Sequence, residues 1–289
     1  IHETSEMVIL TRQHWLTPLI AAPIVFAFAS LCVADEVTID ALRDTGLTID
    51  GEDIVTITES GTISTAADRA YGVESDGSEN TISNFGMILT LGEDGHGIRN
   101  TAGTTTIANG GLIRAIGRGS HGIDNVGSFA ALTNTGMIES NGVGIRNSGN
   151  DARITNTGVI NAGAHGIRNT GNRTAITNFG LIRATGTDRD GVHFTSASRR
   201  STFTNSGAVI SDQRRAIRAS GSVTDLTVNL NAPGFLGGGI LFNATTTLNI
   251  TTGASHSVLW QLPDTSVLDG GAANVSGPVP WFYDTSTGQ

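Results

Sequence analysis

From Val37 onward, apolar and polar residues alternate in short runs, and most runs end in Asn, Gly or both. Alternation of period two places one set of side chains inside and the next outside, so it predicts strands rather than helices. The runs also repeat. One unit sets an apolar residue, Asn two positions on, Gly two further on and then usually Ile: "TISNFGMI" (81–88), "TIANGGLI" (106–113), "LTNTGMI" (132–138), "ITNTGVI" (154–160), "ITNFGLI" (176–182) and "FTNSGAVI" (203–210). Its glycines, Gly61, Gly86, Gly111, Gly136, Gly158, Gly180 and Gly207, are spaced 25, 25, 25, 22, 22 and 27 residues apart. A second anchor, Gly-Ile or Gly-Val, stands at Gly72, Gly97, Gly122, Gly144, Gly166 and Gly191, with Ala216 and Gly239 taking the slot later.

Two anchors marching together mean one closed turn of chain per repeat. The prediction is an all-β, right-handed parallel β-helix. Between Val37 and Leu262 it allows roughly nine coils, a rod about 40 Å long at an interstrand spacing of about 4.8 Å. In "ITNTGVI", Ile154 and Ile160 point inward, Asn156 sits at a corner, and Gly158 supplies the backbone angles of the bend. Stacking predicts an internal ladder of Asn84, Asn109, Asn134, Asn156, Asn178 and Asn205. The repeats span 35–221; residues 222–262, with longer alternating runs and an aromatic cluster, are expected to form the last rungs and a C-terminal cap, and 263–289 a linker.

The second anchor raises the question of chemistry. "GHGIRN" (95–100) carries a Gly-His-Gly similar to that of the pectin-cleaving polygalacturonases, and "SHGIDN" (120–125), "GVGIRN" (142–147) and "AHGIRN" (164–169) repeat the element around it. A catalytic motif has no reason to recur in every coil, and glycoside hydrolysis needs paired carboxylates across the scissile bond. The motif therefore reads as structural. Strand alternation puts the residue after the inward Ile or Val outside, which makes an exterior row of Arg99, Asp124, Arg146, Arg168, His193 and Arg218, with Asp124 placed to pair with Arg99 and Arg146. His96, His121 and His165 are expected in another outward column, interrupted by Val143, without the convergent ligands a zinc site requires. "TDRDGVHF" brings Asp188, Asp190 and His193 near Arg214 or Arg215 of the next coil; it reads as a charged exterior loop. No residue is assigned a catalytic, cofactor-binding or metal-binding role, and no cofactor is expected.

Composition narrows the partners. Of 289 residues 38 are Gly, aromatic residues are 5%, and the formal charge is −9. All 17 basic residues are Arg and they are scattered, so no basic stripe is set to neutralise a nucleic acid backbone. The first 34 residues read as a signal peptide: Arg12 gives the basic region, Ile24–Val33 the apolar one, and Cys32 and Ala34 the small residues for cleavage before Asp35, with Met7 as a possible true start. Pro18 and Pro23 interrupt the stretch, and the apolar run is shorter than the ~20 residues a bilayer span needs. Cys32 is the only cysteine, so a cleaved chain is stabilised by packing alone.

The repeated "ITNTGVI" and "GIRN" elements, the run "LNITTGASHSVLWQL" and the terminal "PWFYDTSTGQ" resemble the passenger domains of bacterial autotransporters. That resemblance implies export through the inner membrane, and display at the cell surface or outer membrane when the passenger is joined to an outer-membrane β-barrel translocator. Without that barrel the expected location is the periplasm. The implied role is adhesion or another surface interaction without catalysis, toward a surface ligand of unknown identity. Only 27 residues follow Leu262, too few for a barrel, which is expected on a longer chain of which this is the passenger part, the alternative being a barrel lost or encoded separately. The alternative function is a carbohydrate-active β-helix enzyme, a polysaccharide lyase or hydrolase.

Overall fold

The computed structural model describes residues 35–195, 197–243 and 245–253, together with the strands Leu259–Gln261, Val267–Leu268 and Ala272–Ser276. The expected signal peptide lies outside the described residues, and the expected linker is described only at its two short strands. Cys32–Gln289 forms one compact unit, in which the described residues are strands, turns and bends without a helix. The chain is a parallel β-solenoid.

A typical coil contributes three strands, for example Ala131–Asn134, Met137–Ser140 and Ile145–Asn147. Each pairs in parallel with its counterpart one coil on: Asn134 with Asn156, Ile138 with Ile160, Ile145 with Ile167. The first strand of every coil joins an 11-stranded sheet running from Glu36–Ile39 to Ala272–Ser276, and the other two build an 18-stranded sheet. Residues past Gly221 add further rungs to the same stack, since Thr227–Asn231 pairs in parallel with Thr202–Asn205 on one side and with Thr247–Thr251 on the other.

The core follows from the alternation. Ile154, Ile160 and Ile167 of one coil stack between their equivalents above and below, all at or near zero exposure. Each such side chain stabilises the fold by about 1.5–3 kcal/mol relative to leaving it in water. Where two 22-residue coils interrupt the 25-residue period, the missing three residues come from one corner. Gly111 to Gly122 is 11 positions, Gly136 to Gly144 only 8, while the step from the second anchor to the next first anchor, Gly122 to Gly136 or Gly144 to Gly158, stays at 14. Strand lengths and register are therefore preserved, and only a turn changes.

The predicted asparagine ladder is present and buried. Each Nδ2 donates to Oδ1 of the next rung, from Asn84 to Asn109, Asn134, Asn156, Asn178 and Asn205, at 2.7–2.8 Å. Asn156 Nδ2 also reaches the carbonyls of Gly158 and Leu181 at 3.3 Å. A second ladder joins Asn100, Asn125, Asn147 and Asn169 at 2.6–2.7 Å, built from the Asn of "GIRN" and "GIDN". It starts beside Ser75 and ends where Phe194 takes the next position. Asn156→Ala removes one rung: Asn178 Oδ1 loses its donor and Asn134 Nδ2 keeps only its longer bonds to the Gly136 and Val159 carbonyls, at about 1–3 kcal/mol for buried groups left short of partners. Thr133→Ala, on the exposed face of the neighbouring strand, should stay within about 0.5 kcal/mol. Coincident urea midpoints for the two variants would remove the ladder from the stability argument.

The glycine column differs from expectation. Gly158 does not sit at positive φ; it is glycine because an added Cβ would lie 2.0 Å from the carbonyl oxygen of Gly136 in the preceding coil. Close approach of backbones, not backbone angle, fixes the residue. Left-handed angles fall instead on non-glycine residues stacked at another corner, among them Thr104, Phe129, Asp151 and Arg173, whose N–H groups bond the carbonyl of the coil ahead.

Candidate functional site

Two columns of polar side chains run side by side along the second sheet. The residue just before the second anchor gives Tyr71, His96, His121, Val143, His165, Asp190 and Arg215. The residue after the inward Ile or Val gives Glu74, Arg99, Asp124, Arg146, Arg168, His193 and Arg218, in register coil by coil.

The first column corrects the expectation of solvated histidines. His96 and His165 are buried at 9% and 7% exposure. Their imidazoles carry backbone: Nδ1 of His96 accepts the N–H of His121 at 3.1 Å, Nδ1 of His121 that of Val143 at 3.0 Å, and Nδ1 of His165 that of Asp190 at 2.9 Å. Each bond fixes the Nε2–H tautomer. The rings of His96 and His121 stack at 4.7 Å and 9°, with Tyr71 below at 5.4 Å. Burial, above all, holds these imidazoles neutral: His121 is lowered to about 3 and His165 to about 4, and His96 is lowered too. Gly-His-Gly is a coil-to-coil clip.

In the outer row Asp124 pairs with Arg146 at 3.3 Å and stands 3.6 Å from His96 Nε2. Arg99 turns the other way, toward Glu74 at 3.8 Å, and its guanidinium bonds the Tyr71 hydroxyl while lying over that ring. Arg146 stacks on Arg168 as a like-charge neighbour.

The columns change character at Asp190. Its coil has the longer corner, with Asp188 in a left-handed turn at φ 58° and 81% exposed. The next coil runs a single strand, Ala208–Ala219, through this corner, and that strand bulges against the following one, Phe235–Phe242, with the register shifted between Ile210 and Arg215. Such a bulge re-aims side chains. Here Ser211 pins it, donating to the Arg189 carbonyl at 2.7 Å and accepting from the Arg214 N–H at 2.9 Å. Arg214, Arg215 and Arg218 are thereby presented to Asp190.

This cluster is not the exterior loop that "TDRDGVHF" suggests, because Asp190 is fully buried and His193 is 9% exposed. Asp190 Oδ2 lies 3.6 Å from His165 Nδ1, 3.8 Å from His193 Nδ1 and 3.8 Å from Arg218; its Oδ1 lies 3.9 Å from Arg214. None of these is short enough to be a hydrogen bond, and neither carboxylate oxygen has a hydrogen-bond partner. Burial pushes the Asp190 carboxyl above the ordinary range and the His193 imidazole down to about 3. His193 Nε2 is engaged with Ser220 Oγ at 3.0 Å.

Comparison with known protein families, with characterised proteins and with solved structures finds no match to this chain. The reading of the site therefore rests on its own geometry. His165, Asp190 and His193 could offer a metal three ligand atoms within 4.8 Å of one another, a convergence that the histidine column alone does not suggest. Two features oppose a cation. His165 Nδ1 already accepts a backbone N–H, and two arginines stand within 3.9 Å of the one carboxylate.

Proposed function

We propose that the chain is the passenger region of an autotransporter-like secreted protein, a cell-surface β-helix that acts in adhesion or surface interaction without catalysis. The observation carrying this reading is the separation of roles between the two faces of each strand. Along one inward column Ile113, Ile138, Ile160, Ile182 and Val209 remain apolar, while the adjacent outward column runs Arg114, Glu139, Asn161, Arg183 and Ile210. Surface chemistry can thus change rung by rung without disturbing the core, which suits recognition of an extended ligand. The absence of cysteine after Cys32 supports export through a barrel, since no disulfide can lock the chain before passage.

The partner this reading requires is an outer-membrane β-barrel, because unpaired strand edges cannot be accommodated in lipid. Expression of residues 1–289 in a Gram-negative host should deliver the chain to the periplasm, and fusion of an autotransporter linker and barrel after Gln289 should expose it to external protease. Surface exposure without the barrel would contradict the export route; displayed protein that leaves cell attachment to every surface tested unchanged would contradict the adhesive role. One observation favours the alternative of a carbohydrate-active enzyme: a buried carboxyl with raised proton affinity beside two imidazoles. Release of reducing or unsaturated sugar ends by purified protein, lost in Asp190→Asn, would establish it.

A further inference from the structure

Around Asp190 the charges do not balance. Arg214, Arg215 and Arg218 converge on this one buried carboxylate, and Arg168 and Arg189 stand near enough to lower the proton affinity of His165. Asp188 adds one distant partner, 3.9 Å from Arg214 and mostly in solvent. Arg168 has no carboxylate within ion-pair distance among the described residues, and its neighbours Arg146 and Arg189 repel it. Nε and one terminal nitrogen of Arg215, Nε of Arg218 and Nδ1 of His193 are buried without hydrogen-bond partners. Guanidinium groups do not deprotonate in proteins, so this excess cannot be titrated away. These guanidinium groups are half-buried, and an oxyanion would supply the partners that their buried nitrogens lack.

We propose that the surface over Arg146, Arg168, Arg189, Arg214, Arg215 and Arg218 binds an acidic oligosaccharide, one carrying carboxylate or sulfate groups on successive sugars. Resting on the reading of the chain as a binding scaffold, it names the ligand class. An oxyanion is the chemistry that bidentate guanidinium groups recognise. A polymer is favoured over a free ion because the cations are spread over several rungs: Arg146 pairs in register with Arg168, and Arg218 follows two rungs on, past the neutral His193, at about 4.8 Å per rung. No Phe, Tyr or Trp stands among these positions, so the stacking platform that single-stranded nucleic acids use is missing. The patch is also local. The chain as a whole is at −9, so solvent-borne polyanions are repelled elsewhere and directed here.

The test is calorimetry of purified protein with a hexameric oligogalacturonate, a sulfated hexasaccharide, a neutral malto-oligosaccharide, inorganic sulfate, a short single-stranded DNA and zinc chloride. At least one acidic oligomer should bind, weakening as salt rises, and the neutral one should not. Arg168→Gln with Arg218→Gln should weaken binding at least about tenfold, the loss of a charge-assisted contact or more. Arg114→Gln with Arg118→Gln, ion-paired on other columns, should change it little. The proposal is overturned if neither acidic oligomer binds, if the neutral sugar or DNA binds as well, if sulfate alone matches the oligomers, or if zinc occupies the cluster instead. Should the Arg168 and Arg218 variant not fold, the salt dependence and the neutral control of the unaltered protein still decide. Failure here leaves surface display standing, and failure of display leaves the site standing; cleavage of a bound oligomer would overturn the non-catalytic reading while confirming the ligand class.

Discussion

Gly144→Ala should destabilise the solenoid by about 3 kcal/mol or more, the upper end of what overpacking costs. A Cβ at this position would stand 2.3 Å from Ile160 Cγ2 and 2.6 Å from the carbonyl oxygen of Gly166. The isoleucine cannot swing away, because it is fully buried against its own column. Nor can the carbonyl, because it accepts the N–H of Ile145 at 3.0 Å, the bond that stacks this coil on the next. Accommodating one methyl group therefore means separating two rungs. Nature's own exception supports this: Ala216 occupies the equivalent slot in the last regular copy, where the following coil is shifted in register between Arg215 and Ile217. Gly221→Ala is the control, with nothing within 4 Å of the added atom. Thermal and urea unfolding of the pair should differ widely. If Gly144→Ala unfolds at the same midpoint as Gly221→Ala, the close approach of coils is not what selects glycine.

Periodicity made the solenoid legible because each inward position recurs in the sequence as often as in space. Ile154, Asn156 and Ile160 could be assigned from alternation and repeat together. The second ladder was equally within reach, since Asn147 follows the outward Arg146 and must turn inward. His96 and His165 could not be placed the same way. They precede the second anchor at a corner, where strand alternation no longer dictates direction, and their acceptor role depends on the backbone of the coil ahead. The Asp190 cluster lies further still from sequence reasoning. It needs a bulge in the strand that carries Arg214 and Arg215, which does not repeat, so no pattern announces that these arginines will turn toward a buried carboxylate.

The histidine clips predict acid lability well above the pH at which carboxylates ordinarily titrate. His121 and His165 have ordinary values near 6.5 when unfolded and values of about 3 and about 4 when folded, chiefly because burial disfavours the charged ring. Between those limits the unfolded chain binds a proton that the folded chain does not. Stability is thus full above pH 6.5 and falls as the pH drops toward 3–4, by about 1.4 kcal/mol per pH unit for each proton of difference. Asp190, raised in the fold, acts with the opposite sign: its contribution is lost as pH rises through its folded value. His121 is the cleaner probe, because its neighbours are His96, Arg146 and Arg168 rather than Asp190. Val143 shows that the column accepts valine. His121→Val should lose some stability at pH 7.5, where the Val143 N–H is left without its acceptor, by about 1–3 kcal/mol. Its stability should then decline less steeply from pH 6 to 4.5, with one proton fewer taken up on unfolding. Parallel stability curves for the two proteins across that interval would mean that the His121 ring is charged in the fold, and that its Nδ1 does not hold the coil above.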